Sequence, residues 1–372
     1  MTRLLVVDDS ALMRRLLGQV FAAEGDFEVA FARDGVEALA QLHAFRPDVV
    51  TLDIHMPNMD GLACLDRIMI ERPCPVVMVS SLTEAGADVT LEAMELGAVG
   101  FVTKPEGVIT LSIDVLAPEL VQTVRAASQA RLRRSMRLAE RIRLRGGGNV
   151  ARPALRFEPG RGTAPEPWPS RRPAAADPVH GPLDGVVLVG CSTGGPPALD
   201  VLLSGLPADF PWPVLVAQHM PASFTGPLAR RLDTLCALTV VEAARPMPLA
   251  PGHVYIGKGD ADIILGTRPG GPVVMAAPQS AEHRWHPSVD RLVSSAIQHL
   301  GARRLIGILM TGMGNDGATA MTRLRAEGGR TIAEAQETAV IWGMPGELVR
   351  AGGAQVVAPL DRIVPTLLDW LP

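Results

Sequence analysis

Two kinds of hydrophobic spacing alternate along the chain. Short unbroken apolar runs are each followed by stretches where apolar positions recur every three or four residues. Near the start the runs are LLVVDD, FEVAFA, DVVTLD, PVVMVSS and GFVTKP. Further on they include GVVLVGCS, PVLVAQHM, HVYIG, DIILG, PVVMAA, RLIGILMTG and RTIAEA. Val, Ile and Leu without polar alternation suit strands buried on both faces. With helices between them, the pattern predicts two parallel α/β sheets. No internal repeat is evident. Between the two sets, GGGNVARPALRFEPGRGTAPEPWPSRRPAAADP has no apolar period and cannot bury a core. It reads as an extended linker. The stretch before it, Ala117 to Leu144, reads as an arginine-studded helix. The expected division is residues 1–125, a connection over 126–183, and residues 184–372.

Length and composition agree with two domains: 372 residues are long for one, and 47% are hydrophobic. The net charge of −4 argues against general nucleic-acid binding. That small figure averages three unlike parts, −10 over 1–125, +8 over 126–183 and −2 over 184–372. The basic run Arg131 to Arg145 reads as a solvated helix face able to dock on the acidic first part. DNA binding is the minor alternative, since no recognition motif accompanies the run. Lys104 and Lys258 are the only lysines. Cys64, Cys74, Cys191 and Cys236 show no metal-ligand spacing and read as free thiols. The start MTRLLVVDD reaches aspartate too early for a signal peptide. The longest uncharged run, Phe210 to Ala229, contains four prolines and is no membrane span. A soluble, cytoplasmic protein without membrane insertion is expected.

Ligand groups in open α/β sheets gather at the carboxyl ends of the strands. In the first part those ends carry Asp8 and Asp9, then Asp53, then Ser80, then Lys104. A lone aspartate at a strand end is ordinarily a turn residue or a helix cap. Several carboxylates together repel unless a cation joins them, and an all-oxygen set suits Mg²⁺. An aspartate so placed can accept a phosphoryl group, with lysine holding its oxygens. Through VVDDS, LDIHMPNMDG, VMVSS and FVTKP, this part resembles the receiver domain of bacterial response regulators. The resemblance implies a flavodoxin-like, five-stranded parallel sheet with Asp53 as phosphoacceptor. It implies Asp8, Asp9 and Asp53 for Mg²⁺, Ser80 and Lys104 on the phosphoryl group, and Phe101 as an aromatic switch. The phosphoryl donor would be a sensor histidine kinase.

In the last part, GVVLVGCSTGGPPALDVLL reads as strand, turn and helix, with Ser192 at the turn. Free N–H groups there could hold an oxyanion. A second strand ends at His219. Gly312 to Gly317 (GMGNDG) matches G-x-G-x-x-G after a strand, and the next strand ends at Glu334. A dinucleotide site is therefore one candidate. Against it, Asp316 in that loop would repel a pyrophosphate. Ser192, His219 and Asp316 together offer a nucleophile, a base and an orienting carboxylate on three strand ends. Their order differs from that of α/β-hydrolases, although GCSTG fits the letters G-x-S-x-G.

Through GCSTGG, QHMP, PGHVYI, HPSVDRL, TGMGNDG and WGMPGE, residues 184–372 resemble the catalytic domain of the chemotaxis protein-glutamate methylesterase family, CheB. The resemblance implies a doubly wound, mostly parallel α/β catalytic domain. It implies Ser192 as nucleophile, His219 as base and Asp316 as its orienting group, with Thr193 and Met313 at the site. The substrates implied are methylated glutamates, and glutamines, of methyl-accepting chemoreceptors. No cofactor is implied for ester hydrolysis. The sequence departs from the family at Cys191, where a small residue is usual, and at Trp285 and His286, where a His-Arg pair is common.

Overall fold

The computed structural model describes residues 1–80, 83–104, 109–130, 132 and 183–371. The first part alternates β1 (Thr2–Val7), α1 (Ala11–Glu24), β2 (Phe27–Ala32), α2 (Gly35–Ala44), β3 (Val49–Asp53), α3 (Gly61–Glu71), β4 (Val76–Ser80), α4 (Glu84–Leu96), β5 (Gly100–Thr103) and α5 (Ile109–Ser128). Its five strands pair in parallel in the order β2-β1-β3-β4-β5. Every residue of β3 and β4 is buried, as their unbroken apolar runs require. Side-chain caps start the helices: Ser10 accepts from Met13 N, Asp34 from Glu37 N and Asp60 from Ala63 N. Each such cap contributes about 1 kcal/mol.

The second part holds β6 (Val186–Cys191), α6 (Gly195–Ser204), β7 (Val214–Gln218), α7 (Ala222–Leu235), β8 (Thr239–Ala243), β9 (Met247–Pro248), β10 (His253–Gly257), β11 (Asp262–Arg268), β12 (Gly271–Ala277), α8 (Val289–Leu300), β13 (Leu305–Leu309), α9 (Ala318–Ala326), β14 (Arg330–Glu334), α10 (Met344–Arg350), β15 (Val356–Ala358) and α11 (Leu360–Leu368). Seven strands form a parallel sheet, β15-β14-β13-β6-β7-β10-β8. The chain winds from β6 toward β7 and later returns to β13 on the other side of β6. That reversal opens a crevice at the carboxyl ends of β13, β6 and β7.

Two expectations are corrected. DIILG and PVVMAA do not join the parallel sheet. They are β11 and β12, an antiparallel pair in a separate sheet ordered β11-β12-β9. The link between them is too short for a crossover helix, so the strands must run antiparallel. The first part of the helix read from Ala117 to Leu144 belongs to α5, which begins earlier, at Ile109, and ends at Ser128; from residue 133 on, that reading lies outside the described residues. Its end tightens as Gln129 N and Ala130 N donate to Ala126 O and Ala127 O, while Ser128 Oγ bonds Arg125 O. The rest of the basic run and the linker lie outside the described residues.

The two parts pack against each other. Ala87 and Leu91 of α4 belong to the hydrophobic cluster built on β6, β7, α6 and α7. Phe101 of β5 stacks on Phe224 of α7, with ring centroids 4.5 Å apart. Arg231 of α7 reaches Glu95 of α4 at 2.6 Å and Asp200 of α6 at 2.6 Å. Arg284 donates to Gln122 of α5 at 3.0 Å. All four cysteines are free and buried. Burial pushes the Cys64 and Cys74 thiols up to about 12 and the Cys236 thiol up to about 11, so they are poor nucleophiles. No helix among the described residues is long and apolar enough to cross a membrane.

Candidate active site

Two clusters of polar side chains sit at strand ends. In the first part, the Nζ of Lys104 lies 3.1 Å from Asp8 Oδ2 and 2.9 Å from Asp53 Oδ2. Asp53 Oδ1 accepts from Ile54 N at 2.8 Å, and Asp8 Oδ1 from Ser10 N at 2.9 Å. Asp9 is exposed beside them, and oxygens of Asp8, Asp9 and Asp53 lie within 4.8 Å of one another. Burial raises the Asp8 carboxyl above its usual range; Lys104 counteracts this and the Asp53 charge adds to it. Crowded carboxylates, one of them costly to ionise where it is buried, fit a divalent cation. Ser80 ends β4 next to Lys104, whose N–H donates to Ser80 O at 2.6 Å. Its own hydroxyl bonds Gly86 O. Phe101 turns away from this cluster and toward Phe224.

The second cluster follows from strand order. Because β6 lies between β13 and β7, Ser192 and His219 leave neighbouring strands, and Cys191 pairs with Gln218 in register. His219 N donates to Cys191 O at 3.1 Å, and Ser192 N donates to Thr311 O at 2.9 Å. A Cβ on Gly312 would stand 2.8 Å from Ser192 Cβ, so only glycine lets this loop lie against the serine. His219 Nε2 bonds Asp316 Oδ2 at 2.8 Å. A carboxylate only accepts, so Nε2 carries the proton and Nδ1 keeps the lone pair. Nδ1 is buried and has no hydrogen-bond partner among the described residues. In the common serine-protease arrangement the two nitrogens have the opposite assignments.

Asp316 is held from a third direction. Ser288 Oγ, Val289 N and Asp290 N, at the start of α8, donate to its oxygens at 3.1, 2.7 and 3.0 Å. The carboxylate thus occupies a helix N-terminus as a bound anion would. Burial alone would raise its pKa. The bond and charge of His219 and the backbone N–H groups outweigh that, and hold it below the usual carboxylate range. The start of α8 is itself anchored by Asp262, fully buried, which accepts from Ser288 N, His286 Nδ1 and Arg291 Nη1.

The structure brings Ser192, His219 and Asp316 to one crevice, with Thr193 directly after the serine and Met313 directly after Gly312. Among the described residues, the backbone N–H groups of Thr193 and Met313 form no hydrogen bond. Gln218 and Ser288 lie in QHMP and HPSVDRL, stretches that carry the resemblance, but neither they nor Asp262 was given a role from the sequence. Gln218 Nε2 donates to the carbonyls of both Ser192 and His219 at 3.0 Å, tying the two strand ends together. Its place beside His219 in QHMP was the signal that could have found it.

The geometry tells against a dinucleotide in the GMGNDG loop. Asp316 faces inward on His219 and α8, and the Trp285 ring lies against Gly314. Glu334 is fully buried, accepting from Thr311 N and Thr338 Oγ1. It is not available to a ribose.

Residues 187–367 match the family model "CheB methylesterase", and residues 4–114 match "Response regulator receiver domain". A curated relative from Rhodopseudomonas palustris, "Protein-glutamate methylesterase/protein-glutamine glutaminase 2", is 56% identical over 100% of this chain and 98% of its own. The chain belongs to the CheB methylesterase family. A second CheB-type relative, "Protein-glutamate methylesterase/protein-glutamine glutaminase 3" of Rhodospirillum rubrum, is 53% identical over 100% of this chain and 96% of its own. The CheB methylesterase catalytic domain of Thermotoga maritima is 36% identical, with TM-score 0.49, over 50% of this chain and 98% of that one. Receiver domains, the family that residues 4–114 match, are in general phosphorylated in a Mg²⁺-dependent reaction.

Proposed function

We propose that this CheB-family chain is a phosphorylation-controlled esterase. It removes methyl groups from glutamyl γ-esters of chemoreceptors, releases methanol, and deamidates receptor glutamines at the same site. The observation that carries the reading is the His219–Asp316 bond at 2.8 Å, which leaves Nδ1 without a partner among the described residues, on a strand end that Gln218 ties to that of Ser192. Ser192 Oγ attacks the ester carbonyl carbon while its proton passes to Nδ1. Asp316 stabilises the imidazolium. The N–H groups of Thr193 and Met313 supply donors for the oxyanion. The C–OCH₃ bond breaks, and His219 returns the proton to the departing methoxide. Water then attacks the acyl carbonyl with His219 again taking a proton; the C–Oγ bond breaks, His219 returns that proton to Ser192 Oγ, and the new carboxyl group gives up its own proton to water as glutamate leaves. These steps draw on side chains and backbone N–H groups of this chain, and on water.

Residues 1–125 form the receiver, 126–183 the connection and 184–372 the hydrolase. Asp8, Asp9 and Asp53 would hold Mg²⁺, which offsets negative charge around Asp53. A chemotaxis-type sensor histidine kinase supplies the phosphoryl group to Asp53, and Ser80 and Lys104 contact it. In the resting chain the receiver sits over the hydrolase: a Cβ on Gly100 would lie 3.4 Å from Thr193 Cγ2. A phosphoryl group on Asp53 would draw Lys104, three residues beyond Phe101, and so disturb the Phe101–Phe224 stack.

The test is methanol release from methylated receptor membranes, with and without acetyl phosphate. Wild type should release methanol and be stimulated. Ser192→Ala should release none, and Asp53→Asn should lose the stimulation. Release by Ser192→Ala at the wild-type rate would remove the proposed nucleophile.

A further inference from the structure

The imidazole of His219 is fixed by its Asp316 bond along one edge only. A single hydrogen bond leaves the ring free to tilt about that edge, and a tilt would change the direction in which Nδ1 points. A second restraint lies on its face. The Trp285 ring is parallel to it, with an interplanar angle of 2° and centroids 5.7 Å apart. This separation with parallel planes is an offset stack. The same indole covers Gly314, where a Cβ would stand 2.7 Å from its Cη2. Gly314 follows Met313, whose N–H is a proposed oxyanion donor. One aromatic side chain therefore touches both the base and the donor loop. Trp285 is three residues before Ser288, which bonds Asp316, so one short segment supports both members of the pair.

We propose that Trp285 is a positioning residue for the reaction, its indole plane setting the plane of the His219 imidazole and the height of the Met313 loop. The inference rests on the esterase reading above. Its π face also lies within the range at which it favours the imidazolium formed when Nδ1 takes the serine proton. Other apolar bulk of similar size would fill the space but would not impose a plane.

The experiment compares full-length Trp285→Leu and Trp285→Phe with wild type, all treated with acetyl phosphate, on methylated receptor membranes. Trp285→Leu leaves a smaller apolar side chain without a ring and should lose kcat by about 10²-fold with little change in KM. Trp285→Phe restores a flat ring and should recover most of that loss. Thermal unfolding midpoints should stay close in all three, since the side chain is only half-buried. A kcat for Trp285→Leu within about twofold of wild type would overturn the proposal. So would equal losses in the two variants, which would mean that the plane does not matter. A wild type that releases no methanol would instead overturn the esterase reading, and this inference with it.

Discussion

The Arg231–Glu95 pair across the two parts offers a direct measure of the receiver's restraint. Arg231 also grips Asp200 through two bonds, at 2.9 and 2.6 Å. Replacing Glu95 with Gln therefore leaves the guanidinium paired and creates no orphaned charge. The side chains of Arg231 and Glu95 are 18% and 27% exposed, so water and salt screen the pair. The contribution to docking is then about 1 kcal/mol, the upper end for partly exposed pairs. Since RT is about 0.6 kcal/mol, this changes the docked-to-open ratio about fivefold. If the docked form dominates at rest, Glu95→Gln should raise unstimulated methanol release about fivefold. The rate with acetyl phosphate should not change. Added salt should raise the resting rate of wild type more than that of the variant. Combining Glu95→Gln with Arg231→Gln in a double-mutant cycle isolates the pair from the Asp200 bond. A resting rate at or below wild type, with normal stimulated rate, would refute the idea that this docked face restrains the hydrolase.

Asp316→Asn should cut kcat by about 10⁴-fold, because an amide facing Nε2 favours the tautomer with its proton on Nδ1; a loss under about tenfold would contradict the geometry. Burial holds the Asp8 carboxyl above its unfolded pKa near 3.8, so its charged form costs stability at neutral pH. Asp8→Asn should raise the unfolding midpoint in the absence of Mg²⁺ and reduce the further rise that Mg²⁺ produces in wild type. Asp262 is shifted the other way. Burial opposes the shift, but His286 and Arg291 prevail and lower its pKa. The stability it contributes is full above about pH 3.8 and is lost as pH falls through its lower folded value. Urea unfolding of Asp262→Asn should show a deficit against wild type at about pH 6 that shrinks by about pH 3.

The strands, and the residues at their carboxyl ends, were legible because a strand buried on both faces leaves an unbroken apolar run that ends abruptly in polar chemistry. Asp8, Asp53, Lys104, Ser192 and His219 were all found that way. What fixes Asp316 was not legible. Its donors lie on α8, at Ser288, Val289 and Asp290, and nothing in that helix start announces which anion it receives. The two antiparallel strands β11 and β12 carry the same apolar signature as parallel ones, and only the short link between them distinguishes the two. Arg231 is one of 33 arginines, and a pair that spans 136 residues leaves no periodic trace. Phe101 was picked out only by resemblance, and its partner Phe224 came from the structure alone.

Ala87 and Leu91 of the receiver are buried at 0% and 2% exposure within the other part's apolar cluster. Contact of that kind draws its strength from the release of water, and it weakens on cooling. The receiver's grip is thus temperature-dependent in a definite direction, tighter in warmth and looser in the cold. If the receiver restrains the hydrolase as proposed, demethylation becomes less dependent on signalling as the surroundings chill.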